Sequence, residues 1–195
     1  MPATFKGLMM DDVKAKSGPA IHHGPEELAV ARGVFTFELF DKHGNLKLVS
    51  QRKNLVVNTG LQYMAGVALV SSAPRTSIWY MGLYGSGATN SPASTDTMGS
   101  HPGWTEITTY TQGTRPQAVF ANATAANPSV ISNSDNKATF DFSTTGVLGG
   151  AFIVNQNSKG GGIGTLFSAS DLTGGDINFV NGDSLQLTYS FSLAA

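Results

Sequence analysis

The chain has 195 residues with 12 basic and 13 acidic side chains, so its formal charge of −1 offers no basic field for nucleic acid and no acidic field for a basic partner. It has no cysteine, which excludes disulfides, thiolate catalysis and cysteine-held metals. Residues Met1–Ala20 hold no continuous apolar core of a signal peptide, and no run approaches the ~20 apolar residues of a membrane span, so neither export nor a membrane partner is expected.

Residues 1–32 read as an extended N-terminal arm. The stretch "SGPAIHHGPEE" (Ser17–Glu27) carries two prolines and two glycines, which break any regular element. Upstream of it, Phe5, Leu8, Met9 and Met10 form an apolar cluster too small to be a core. Such a segment is either a disordered tail or docked on another surface. In the second case these four residues are the candidate partner-binding residues.

Residues 33–195 are expected to form a single domain. "VFTFELF" (Val34–Phe40), the turn "DKHGN" and "LKLVSQ" (Leu46–Gln51) predict a β-hairpin, with Phe35, Phe37 and Leu39 on one face and Thr36 and Glu38 on the other. "NTGLQYMAGVALV" (Asn58–Val70) predicts one helix, capped by Thr59, with Leu61, Met64, Ala65, Ala68 and Leu69 at helical spacing. The remainder is β-patterned and poor in charge. Strands are expected at Ile78–Gly85, Lys137–Ser143, Val147–Asn155, Ile163–Ser170 and Asp183–Leu193. In the last, Leu185, Leu187, Tyr189, Phe191 and Leu193 alternate with small polar residues, as in a long strand with one wet face. Short strands separated by Gly/Asn/Asp turns favour an antiparallel β-sandwich or jelly roll. The fold class is therefore mainly β, with one short helix.

Motifs of catalysis fail on spacing. In "NSKGGGIGTLFSAS" (Asn157–Ser170) the lysine precedes the glycines and a strand pattern follows, whereas a phosphate loop needs Gly-Lys-Ser/Thr opening a helix. The stretch reads as a hairpin loop that uses backbone conformation rather than the Lys159 ammonium. Among the histidines His22, His23, His43 and His101, His22 and Glu26 have the spacing of helical metal ligands, but Gly24 and Pro25 lie between them. No G-x-S-x-G elbow occurs. "GGDINFVNGD" (Gly174–Asp183) has the wrong glycine spacing for a calcium-binding nonapeptide and reads as turns. Asp96, Glu106, Asp135, Asp141, Asp171, Asp176 and Asp183 offer no decisive carboxylate pair. The aromatics Trp79, Tyr80, Tyr84, Trp104 and Tyr110 fit core packing better than a row for stacking on sugars, because most lie in β-patterned runs. No enzyme, metal or cofactor is expected.

One resemblance is carried by "NLVVNTGLQYMAG" (Asn54–Gly66), "WYMGLYG", "MGSHPGWTEITTYTQGTRP" (Met98–Pro116), "GGAFIVNQNSKGGGIGTLFSA" (Gly149–Ala169) and "FVNGDSLQLTYSFSL" (Phe179–Leu193). Together these resemble a family of small virion structural proteins of tailed bacteriophages. That family is similar in its W-T-E…Y…R-P stretch, G-G-A-F strand, S-K-G-G hairpin and terminal G-D-x-L-x-(V/L)-T-Y strand. The resemblance implies a head decoration, or cement, protein that binds the major capsid protein and neighbouring copies of itself, as dimers or trimers. It implies synthesis in the host cytoplasm and a place on the head surface of the virion. On this view Phe5, Leu8, Met9 and Met10 dock on the capsid or on a neighbouring copy. The alternatives are a tail, baseplate or fibre component, or a glycan-binding β-sandwich on the virion surface.

Overall fold

The structure is a computed structural model and describes residues 30–85, 91–172 and 175–195. The expected hairpin is β1 (Val30–Phe40) and β2 (Leu46–Lys53). β1 starts at Val30, ahead of the boundary expected at residue 33. There follow β3 (Leu55–Val56), α1 (Asn58–Leu69), β4 (Trp79–Gly85), β5 (Glu106–Ile107) and β6 (Gln117–Ala118). The chain continues through β7 (Ser129–Ser132), β8 (Ala138–Asp141), β9 (Gly146–Val154), β10 (Leu166–Asp171), β11 (Ile177–Phe179) and β12 (Ser184–Ala194). The strands form two antiparallel sheets packed face to face, as expected of a β-sandwich.

The first sheet runs β2-β1-β12, with β8 and β7 end to end along the far side of β12. Its register is set by alternation. Leu39 lies opposite Leu185, Phe37 opposite Leu187 and Phe35 opposite Tyr189, so two apolar rows reach the same interior. Ala138, Phe140 and Phe142 extend that face from β8 and the residue after it. Each such burial contributes ~1.5–3 kcal/mol before conformational entropy is charged. Between β7 and β8 the ladder is broken, and a buried side chain replaces the missing rung. Asn133 Oδ1 accepts from the Tyr189 amide at 2.6 Å, and its Nδ2 donates to the Leu187 and Asn136 carbonyls at 3.1 Å.

The second sheet runs β3-β10-β9-β4-β5, with β11 continuing beside β9 and β6 beside β4. Met81, Leu83, Ala151 and Ile153 face the first sheet. The other face is covered as well: Tyr84, Phe152, Val154, Leu166 and Ala169 form a second apolar layer with Val57, Met98 and Trp104. This is why the seven residues Leu148–Val154 of β9 are buried without alternation. Gly150 fits because a Cβ there would lie 2.1 Å from the Ser170 carbonyl and 2.2 Å from the Tyr84 ring.

The helix spans the expected residues, but its cap and its inward face differ from expectation. The Thr59 hydroxyl donates to the Leu166 carbonyl at 2.6 Å, and the N-cap position is Val57, with no side-chain cap. Gly60 is buried against β10, where a Cβ would meet the Phe167 carbonyl at 2.1 Å. The partly buried side is Tyr63, Met64 and Val67, while Leu61 and Leu69 are exposed.

Candidate functional site

Three features of the described residues stand out: a locked loop layer, an open apolar end and an apolar sheet edge. The loop layer is built around the connection from β9 to β10, residues 155–165. Gly160 and Gly164 adopt φ of 68° and 111°, conformations that favour glycine. This connection turns the chain, as the sequence implies, yet its lysine is engaged rather than idle. Lys159 Nζ donates to the carbonyls of Thr108, Tyr110 and Gln112 at 3.1, 3.0 and 2.6 Å. Those bonds match the three N–H groups of an ammonium. The same nitrogen lies 4.3 Å from the centre of the Tyr110 ring.

Beside it, Arg115 is buried and pairs with Glu106 through two bonds, Nε to Oε1 at 2.8 Å and Nη2 to Oε2 at 2.7 Å. Its remaining donors go to the loop, Nη1 to the Gln156 carbonyl at 2.8 Å and Nη2 to the Gly161 carbonyl at 3.0 Å. The Gly160 amide donates back to Glu106 Oε2 at 2.7 Å. Beneath, the guanidinium sits 5.3 Å from the centre of the Phe152 ring. The charges are spent on one another and on backbone, so the network holds loop to sheet. Burial, with the negative Glu106 nearby, pushes the Tyr110 hydroxyl pKa up. That hydroxyl has no hydrogen-bond partner among the described residues.

The open end lies where β1 begins, β12 ends and α1 crosses. There the two sheets part around a cavity of about 460 Å³. Its walls come from α1 (Tyr63, Val67), the second sheet (Trp79, Phe167) and the first (Phe191, Leu193). Edge-to-face ring contacts run from Tyr63 to Trp79, on to Phe167 and on to Phe191, with centroids 5.1, 5.4 and 5.4 Å apart. The side-chain hydroxyls here already have partners. The Tyr63 hydroxyl accepts from the Thr76 amide at 2.8 Å, the Tyr189 hydroxyl accepts from Asn54 Nδ2 at 2.8 Å, and the Ser129 hydroxyl donates to the Thr124 carbonyl at 2.8 Å.

The apolar edge is β2, which among the described residues pairs on one side only, with β1. It exposes Leu46, Leu48 and Val49 at 54%, 39% and 52% of their surface, on both faces of the strand.

The residues singled out from sequence fall as follows. Phe5, Leu8, Met9 and Met10 lie outside the described residues, as do His22, His23 and Glu26. Tyr84, Trp104 and Tyr110 are buried, and Trp79 is half-buried among rings. Asp96 is buried and accepts from Trp104 Nε1 at 3.1 Å, and the His101 ring stacks on that indole at 3.7 Å. Asp141 accepts from Gln112, and Asp171 from the Ser91 hydroxyl. Asp183 pairs with Lys47 at 2.6 Å and closes the turn Val180–Asp183, where Gly182 has φ 91°. Among the described residues no group of three or more His, Asp or Glu is placed to hold a metal ion. Also among them, no helix is long and apolar enough to cross a membrane. The Glu106–Arg115 pair and the cavity were not read from the sequence. Only the W-T-E and R-P words of the resemblance touched the pair, and nothing local announced the cavity.

Comparison with known proteins gives no matching family model, no matching curated protein and no matching solved structure.

Proposed function

We propose that this protein is a decoration (cement) protein of tailed-bacteriophage heads, made in the host cytoplasm and bound to the assembled shell through the major capsid protein and neighbouring copies. The observation that carries this reading is the β2 edge, which among the described residues pairs on one side only and exposes three large apolar side chains on a rigid body. Lys47, Arg52, Lys53 and a register shift at Leu39/Phe40 blunt this edge against open-ended strand pairing, while Leu46, Leu48 and Val49 leave an uncovered apolar patch of the kind that marks a contact surface. The resemblance to virion structural proteins supports the reading from another side. Its words fall on Trp104, Glu106, Arg115 and Lys159, residues that lock a scaffold together. A family recognisable by scaffold residues suits a structural role. Binding only to the assembled shell stabilises that shell by mass action. Symmetry of the shell would favour dimers or trimers of the decorating protein. Phe5, Leu8, Met9 and Met10 would add to the contact where the arm reaches the capsid or a neighbour.

The test is a quantified gel of purified virions together with co-sedimentation on undecorated heads. A cement protein runs near a simple ratio to the capsid protein, and Leu48→Lys with Val49→Lys abolishes its co-sedimentation while leaving its melt unchanged. A few copies per virion would assign the protein to the tail or baseplate instead.

A further inference from the structure

We propose that, in the free molecule, the cavity at the open end is the seat of the chain's own N-terminal apolar cluster, Phe5, Leu8, Met9 and Met10. This goes beyond the shell-binding reading, because it concerns the unassembled protein and holds whatever the shell contact is.

The first ground is where the chain enters. β1 begins at Val30, opposite Ala194, and Ala31 lies opposite Leu193 on the cavity wall. Alternation turns Ala31, Gly33 and Phe35 inward, so the described strand begins beside the mouth of the cavity. Twenty-nine residues of chain therefore start from the rim of the cavity.

The second ground is reach. Twenty residues separate Met10 from Val30, which allows up to about 65–70 Å of extended chain. A body of this size has a radius of gyration of roughly 15 Å, so a return to the mouth needs only a fraction of that length. The glycines and prolines of Ser17–Glu27 are residue types compatible with such a return.

The third ground is chemical fit. Small-molecule sites set a few polar groups among apolar walls to orient the ligand. Here the hydroxyls of Tyr63, Ser129 and Tyr189 are already bonded within the protein, so among the described residues the Trp79 indole N–H is the one lining side-chain donor left without a bond, too little to orient a polar ligand. The walls ask for apolar groups of no fixed polarity. The volume suits a few large side chains, and methionine adapts to irregular space. A tethered segment also meets the cavity at an effective concentration in the millimolar range, which favours the chain's own segment over that of a second copy.

The experiment uses the full chain, whose lack of cysteine makes engineered thiols unambiguous. Leu8→Cys is combined with Val67→Cys on the cavity wall, and separately with Asn181→Cys in the exposed turn at the opposite end of the sandwich. Under mild oxidation the first pair should give a cross-linked monomer and the second none. A cross-linked dimer would put a second copy in the seat and overturn the proposal, as would no cross-link above the control. In parallel, Phe5, Leu8, Met9 and Met10 are all replaced by Ser. Emission of the apolar dye anilinonaphthalenesulfonate should rise several-fold over wild type, and the melting temperature should fall by roughly 5 °C. Equal dye emission in the two proteins would mean an empty cavity in both, and the proposal would fail. All these readouts use free protein, so their failure leaves the shell-binding reading intact.

Discussion

In β12 of the first sheet, polar side chains alternate with buried apolar ones, whereas in β9 of the second, seven consecutive residues are buried. Both strands are central and antiparallel, and what differs is the cover. One face of the first sheet carries its polar side chains, while the second is covered by the opposing sheet and by a layer of loops. The loops stay in place because Arg115, Glu106 and Lys159 tie them to strand and backbone. A sheet covered by irregular chain needs such ties, since loops lack a ladder of their own for their polar groups. The two sheets should therefore respond differently to outward-facing substitutions.

The largest expected contrast is Phe152→Ala against Thr139→Ala. Phe152 points away from the sandwich interior yet is fully buried under Trp104 and Arg115, so its loss should cost about 3–5 kcal/mol in denaturant unfolding. Thr139, on the outer face of β8, should change stability by less than about 0.5 kcal/mol. Similar costs at the two sites would erase the distinction between the sheets.

Next comes the ion pair. Glu106→Leu leaves a buried guanidinium without its carboxylate and should cost roughly 3 kcal/mol or more. Adding Arg115→Met should recover at least half of that loss, because apolar replacement of a whole buried pair is often close to neutral. A double-mutant cycle measures the recovery. If none occurs, the loop layer depends on the Arg115 bonds to Gln156 and Gly161 more than on the pair.

A smaller effect is expected at Lys159. The side chain is half-buried, and Lys159→Met strands three carbonyls near the loop surface, for a cost of roughly 1–2 kcal/mol after allowance for exposure. Thermal melts of the two proteins check it. No change would return this loop to a turn held by its glycines alone.

The smallest effect lies in the first sheet, in the turn between β1 and β2. The Asn45 side-chain amide, with the Asn45 and His43 backbone amides, holds the Asp41 pKa below its ordinary value. A carboxylate whose folded pKa is depressed contributes stability at neutral pH, and that contribution fades as pH falls through the folded value. Asp41→Ala should lower the melting temperature slightly near neutrality, and the gap should close in acid well below about 3.9. A gap that persists in acid would assign the effect to turn conformation instead.

This contrast also explains what the sequence could disclose. Where one face is wet, period-two alternation names both strand and register, as Phe35-Phe37-Leu39 and Leu185-Leu187-Tyr189 do. "VLGGAFIVN" was legible as a strand, but nothing in it says that both faces are covered, because the cover comes from chain some fifty residues earlier. The helix limits could be read, but its inward face could not. Apolar residues lie all around it, so position over β10, rather than amphipathic pattern, turns Tyr63 and Val67 inward. Glu106 and Arg115 meet through tertiary geometry, which periodicity does not encode. The cavity has no local signature because its walls come from separate stretches of chain.

The break between β7 and β8 has a consequence for engineering. Asn133 stands in for a ladder rung, and its main-chain carbonyl accepts from the Asn136 amide at 2.9 Å. The exposed residues Ser134 and Asp135 thus form a tip whose two feet are bonded to the sheet before the chain departs. A foreign peptide grafted between them would leave every rung of β12 in place. Such a tip would serve as a port for display of antigens or enzymes.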